Sequence, residues 1–209
     1  MAAGLTRFGR RLLRAARLDA AVAADVATDS AAGAQAAAVA LLASVATAVG
    51  RIESLRPVPV VAAVAVAAVG WVVWVAAGNT AAARLVRTPA THDAGTRLRV
   101  LAFATAPALV ETFGALPLLR PWAVFVGEAG IVLAGVIAIR VTFAAGSTSR
   151  VFAASLVAWI ARVGVMLLLV AALRPLLVSR TGAARTHPAT VPTAGYVGVV
   201  KPSGIALPE

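Results

Sequence analysis

Five apolar runs, residues 34–50, 57–78, 100–119, 121–139 and 151–173, leave this 209-residue chain few ways to fold. A helix needs about 20 apolar residues to cross the roughly 30 Å hydrocarbon core of a bilayer. Within lipid only helices and closed barrels satisfy their own backbone polar groups. The expected fold class is therefore all-α, a polytopic membrane helix bundle with five transmembrane helices. Composition agrees, with 61% hydrophobic and 13% charged residues, where a soluble domain carries about 25% charged.

The formal net charge of +11 sits in the termini and the short loops, where membrane topology and anionic lipid account for it. No basic surface interleaved with aromatic residues occurs, so nucleic acid is not an expected partner. The absence of Cys excludes disulfides, thiol catalysis and Cys-based metal sites. Lys201 is the single Lys among 19 basic residues, and the chain is rich in Ala and Val. That usage reads as a GC-rich coding bias, of the kind common in bacteria.

The chain divides into a basic amphipathic N-terminal arm (1–18), a membrane domain (19–178) and a Pro/Gly-rich tail (179–209) that reads as disordered. In the arm, Arg7, Arg10, Arg11, Arg14 and Arg17 surround Leu5, Phe8 and Leu12, the pattern of a helix lying in the membrane interface with a lipid-facing basic side. Asp19, Asp25 and Asp29 follow where the apolar core of a signal peptide would stand, so the arm is not one. The first run, Ala34–Gly50, is short and Ala-rich, and charge counting tests it. Five Arg precede it, and Arg84, Arg87, Arg97 and Arg99 follow the second run; both groups belong on the cytoplasmic side. Two crossings between them satisfy that rule and one does not. The N-terminus is then cytoplasmic and, after five crossings, the C-terminus lies outside. Trp71 and Trp74, near the end of the second run, read as interfacial anchors.

Three runs carry a charge near mid-length: Glu111, Glu128 and Arg162. Each costs at least about 2.5–3.5 kcal/mol on insertion scales and calls for a partner or a purpose. At 1.5 Å per residue, Glu111 lies about 12 Å, Glu128 about 10 Å and Arg162 about 16 Å inside the outer ends of their spans. The turn between the third and fourth spans is short, so these helices are antiparallel neighbours. The expectation is an intramembrane polar cluster, a carboxylate pair sharing a proton or an Arg. Such a cluster either fixes helix register or serves an ion or proton pathway.

Two further features belong to these spans. Gly127, Gly130, Ala134 and Ala138 form a smooth close-packing face, used either within the monomer or between copies. Pro107 removes a helical hydrogen bond and should kink the third span near the carbonyl of Phe103. Enzyme signals are absent: no H-E-x-x-H, G-x-S-x-G or P-loop string occurs, and the spans hold no Asp or His. His92 and His187 fall on opposite sides of the bilayer in this topology and cannot share a metal. No catalytic residue, cofactor or metal is expected.

The run GTRLRVLAFATAPALVETFGALP (95–117) resembles the Yip1 domain family, with Gly95, Thr96, Arg97, Arg99, Leu101 and Pro107 in the places of that family's loop and following span. GWVVWVAAGNTAAARLV (70–86) is similar to its Trp-containing second span and basic loop, and RVTFAAGSTSRVFAASLVAWI (140–160) to the hinge before its last span. The resemblance covers roughly Leu18–Leu173 and implies five spans with the N-terminus inside. Eukaryotic relatives associate with small GTPases through an aromatic, acidic motif. Residues 1–33 carry nothing like it, so a GTPase partner does not carry over. The expected function is a non-enzymatic membrane scaffold or adaptor in a bacterial cytoplasmic membrane, organising lipid, other membrane proteins or a second copy. The alternative is a small transporter or channel component using Glu111, Glu128 and Arg162.

Overall fold

The computed structural model describes residues 2–51, 57–143, 145 and 147–182. The chain divides into two compact units, Met1–Arg174 and Pro175–Glu209. The second contains the end of the last helix; the expected disordered tail lies outside the described residues from 183 on, whereas 179–182 are helical.

Seven α-helices and one 3-10 helix make up the described chain: α1 (Ala2–Ala16), α2 (Ala20–Thr28), α3 (Ala32–Arg51), α4 (Pro57–Leu85), α5 (Ala94–Phe103), the 3-10 helix (Ala106–Ala115), α6 (Arg120–Phe143) and α7 (Thr148–Gly182). Five segments are long and apolar enough to cross a membrane: α3, α4, α5 with the 3-10 helix, α6 and α7. The protein is a multi-pass helical membrane bundle. The spans alternate in direction. At one end, here the proximal end, Arg99 donates to the carbonyl of Ser30, and Thr88 and Thr91 donate to the carbonyls of Phe143 and Thr142. At the distal end Arg120 donates to the carbonyl of Gly114.

α1 and α2 form a helical hairpin. Leu18 has φ 62, and the Leu18 and Asp19 amides donate to the carbonyls of Ala15 and Arg14, 3.0 Å each. This is the double closure that normally uses Gly at the left-handed position. Leu18 takes that strained geometry and packs its side chain against the proximal core. Asp19 then caps α2 by accepting from the Ala21 amide at 3.0 Å. Beyond the turn the charges interlock: Arg11 donates to Asp25 at 2.7 and 2.9 Å and to Gln35 at 3.0 Å, and meets Asp29 at 2.8 Å. Arg7 reaches Asp29 at 3.3 Å and Arg14 reaches Asp19 at 2.7 Å. The expected lipid-facing basic side therefore needs correction at Arg11, which is only 3% exposed because α2 places two carboxylates over it. The Arg11 guanidinium holds the Asp25 carboxyl below the usual carboxylate range. Residues 2–18 fall in the same compact unit as the bundle.

Asp93 starts α5 by accepting from the Thr96 amide at 2.9 Å and the Thr96 hydroxyl at 2.7 Å. These bonds lower its pKa to about 2. A carboxyl depressed on folding adds stability above its ordinary range and loses it as pH falls through the depressed value. We therefore expect Asp93→Ala to lower the thermal midpoint at neutral pH, with the gap from the parent closing between pH about 4 and about 2. A gap that persisted at pH 2 would show that the cap acts through something other than charge.

α5 stops at Phe103, and Pro107 lies in the first turn of the 3-10 helix. The third span is thus divided into two helices, more than the kink expected from Pro107. Pro107 cannot donate to the Phe103 carbonyl and its ring would crowd it; Thr105 Oγ1 meanwhile donates to the Ala102 carbonyl at 2.7 Å. Most of the buried side chains form two groups, a proximal one including Val26, Val100, Leu101, Ile139 and Phe143, and a distal one of Ala43, Trp71, Trp74, Ala108, Ile131 and Ala158. α7 is the least enclosed span, with 11% of its apolar window buried against 44% for α6.

Candidate functional site

The distal half of the bundle brings the three intramembrane charges together and adds a fourth. Arg51, the last residue of α3, donates from Nε to Glu111 Oε2 at 2.9 Å and also pairs through Nη2 with Glu128 Oε1. Arg162 Nη1 donates to Glu128 Oε2 at 2.7 Å, and so does the indole of Trp159, at 2.7 Å. Glu111 and Arg162 are fully buried. The carboxylates are bridged by an Arg, the second of the two expected arrangements, but the bridge is Arg51. Arg162 pairs with Glu128 only among the described residues.

Local structure explains how each side chain arrives. In a 3-10 helix three residues complete a turn, so positions i, i+3 and i+6 stand in one row. Ala108, Glu111 and Gly114 form such a row, and all three are buried. In an α-helix they would fan out by about 60° per step. The 3-10 geometry therefore turns Glu111 and Gly114 toward α3 together. There the backbones touch: a Cβ on Gly114 would stand 2.6 Å from the Gly50 carbonyl oxygen, and one on Gly50 would collide with the Glu111 carbonyl oxygen. This contact sets Arg51, one residue past Gly50, beside Glu111.

The small face of α6 does the same from the other side. A Cβ on Gly127 would lie 2.7 Å from Glu111 Cγ, and one on Gly130 2.7 Å from Pro107 Cβ. Ala134 and Ala138 are buried in the proximal core. Of its two possible uses, the face Gly127, Gly130, Ala134, Ala138 packs within the monomer. Glu128, one position round from Gly127, then reaches Arg51 and Arg162.

Trp71 and Trp74 need correction as interfacial anchors, being 1% and 0% exposed. α4 runs on to Leu85, which places both well inside the helix. The Arg162 Cζ lies 3.9 Å from the centre of the Trp71 ring, a cation–π contact that covers the flat face of the guanidinium. Arg162 Nε and Nη2 and Glu111 Oε1 are buried without a hydrogen-bond partner among the described residues.

Two acids and two bases make the network neutral with every member charged. Of the four, the sequence singles out Glu111, Glu128 and Arg162 as a cluster, and the structure brings them together; Arg51, just past the first apolar run, is not among those it names. The signal was available: the first span must end where the third and fourth spans meet, so its terminal Arg lies near the depth of Glu111. A groove of about 460 Å³ between α6 and α7 reaches Glu128 and Trp159, but its remaining lining is apolar: Phe125, Ala129, Val132, Leu133, Phe152 and Leu156.

The fold and this network mark a multi-pass membrane protein stapled by buried ion pairs. No protein-family model, curated protein or solved structure matches the chain.

Proposed function

We propose that this protein is a non-enzymatic membrane scaffold or adaptor of Yip1-like type. The observation that carries the reading is that every charge of the network meets an opposite charge within the bundle. Each of its four members pairs with another across α3, the 3-10 helix, α6 and α7. A site that moves protons or ions needs exchangeable water, and water is held where several polar groups line a roomy cavity. The groove reaching Glu128 is lined almost wholly by apolar side chains. The network thus has the character of a register-fixing element, and the surfaces left for function face lipid and neighbouring proteins.

The Ala/Val/Arg-rich composition supports a bacterial source, and the clustering of Arg84, Arg87, Arg97, Arg99, Arg140 and Arg150 near one end of the bundle supports that end being cytoplasmic. The N-terminus is then cytoplasmic and the C-terminus outside. The transporter reading draws its support from the unpartnered Glu111 Oε1 and Arg162 nitrogens. Reconstituted liposomes carrying a pH-sensitive dye separate the two. We expect proton flux no greater than in protein-free liposomes. Flux that Glu128→Gln abolishes would establish the transporter reading instead.

A further inference from the structure

The α1–α2 hairpin offers a charged surface that the fold does not use. Arg11 faces α2 and is consumed there, but Arg10 on α1 and Arg17, just past its end with its amide still bonded to the Leu13 carbonyl, lie toward the other side. At 100° per residue Arg10 is about 100° round from Arg11, and Arg17 is within about 20° of Arg10. Both are exposed, and neither makes an ion pair among the described residues. Between them projects Leu13, 53% exposed. An Arg–Leu–Arg ridge on a helix within a membrane bundle is suited to one environment, the boundary between phosphate groups and acyl chains.

The depth of the hairpin fits that boundary. Arg11 bonds Gln35 near the start of α3, so this part of α1 lies near the proximal membrane surface. The turn goes deeper: Ala16 and Leu18 line a groove of about 250 Å³ with Pro107, Val110, Gly130 and Leu133, residues well inside the third and fourth spans. α1 therefore slopes inward, with Arg17 about 10 Å further along than Arg10. Side chains on a helix lean toward its N-terminus, which directs Arg17 back toward Arg10 and the surface, as snorkelling basic residues do. Ala16 is about 60° round from Leu13, so the apolar groove opens beside the ridge.

We infer that this hairpin binds an anionic phospholipid of the proximal leaflet, its phosphate held by Arg10 and Arg17 and one acyl chain laid over Leu13 into the groove at Leu18, Pro107 and Leu133. Charge complementarity selects the headgroup, and the bilayer that the five spans require supplies the chain. This deepens the scaffold reading by naming the lipid it organises.

The full-length protein in detergent, titrated with phosphatidylglycerol or phosphatidylcholine and followed by native mass spectrometry, tests the site. Phosphatidylglycerol should be retained preferentially. The double variant Arg10→Gln/Arg17→Gln should lose about thirtyfold in phosphatidylglycerol affinity. Arg84→Gln/Arg87→Gln, which removes two exposed charges near the same end of the bundle, should leave it unchanged. Equal retention of both lipids, or equal loss in the two double variants, would overturn the inference. Unchanged circular dichroism of the variants confirms that folding is not the cause. Proton flux in liposomes would refute the scaffold reading while leaving this lipid measurement as it stands.

Discussion

Arg162→Leu is expected to destabilise the bundle by about 3–5 kcal/mol, the usual cost of removing one partner from a buried ion pair. The guanidinium is fully buried, pairs with Glu128 at 2.7 Å and lies against the Trp71 ring. Its loss leaves two carboxylates sharing Arg51 alone and opens a space against Trp71. Thermal unfolding in detergent, followed by circular dichroism, reads the effect. Adding Glu128→Gln should recover part of the loss, because it removes the carboxylate left in excess. A single variant that unfolds at the parental temperature would mean that the network contributes nothing to stability. Recovery of stability by Glu128→Gln would agree with a structural role.

Gly114→Ala should be nearly as damaging, by about 1–3 kcal/mol, the usual range for overpacking. The added Cβ would stand 2.6 Å from the Gly50 oxygen and 3.1 Å from Gly50 Cα. These are backbone atoms of a buried helix end and cannot swing aside as a side chain does. The third span must then withdraw from α3, and Arg51 loses its contact with Glu111. Gly164→Ala is the control, since a Cβ there meets nothing within 4 Å. That variant should be neutral or slightly stabilised by its better helix propensity. Equal unfolding temperatures for Gly114→Ala and Gly164→Ala would show that the Gly50–Gly114 contact is not tight in the folded protein.

How far the sequence reveals this structure depends on the kind of signal each part leaves. The five spans are legible because an apolar run long enough to cross lipid has few other uses. Glu111, Glu128 and Arg162 are legible because charge inside such a run is costly and therefore conspicuous. Arg51 is hidden by its position: at a helix end a basic residue normally marks the boundary with water. The 3-10 helix is hidden for another reason. Pro107 announces a break, but whether the chain resumes as an α-helix or in the tighter form depends on contacts with Gly50 and Gly127, distant in sequence. α2 is hidden because Asp25 and Asp29 look like solvent-exposed acids until Arg7 and Arg11 are set against them. Complementary charges one hairpin apart are the signal, and they mean little until the turn at Leu18 is known.

Arg51, Glu111, Glu128 and Arg162 lie on four different spans, so neutrality belongs to the finished assembly and to no single helix. This has a consequence for biogenesis. As the chain emerges, the third span carries Glu111 onto an Arg51 already present, and the balance holds. α6 then brings a second carboxylate into the membrane interior, its own cations Arg120 and Arg140 standing near the helix ends. The new carboxylate must share Arg51 with Glu111, and the charges balance only once synthesis has delivered Arg162, 34 residues further on. Insertion of the last two spans is therefore coupled in time: α6 is released stably into lipid only with α7, and a chain cut short between them carries one carboxylate too many into the bilayer.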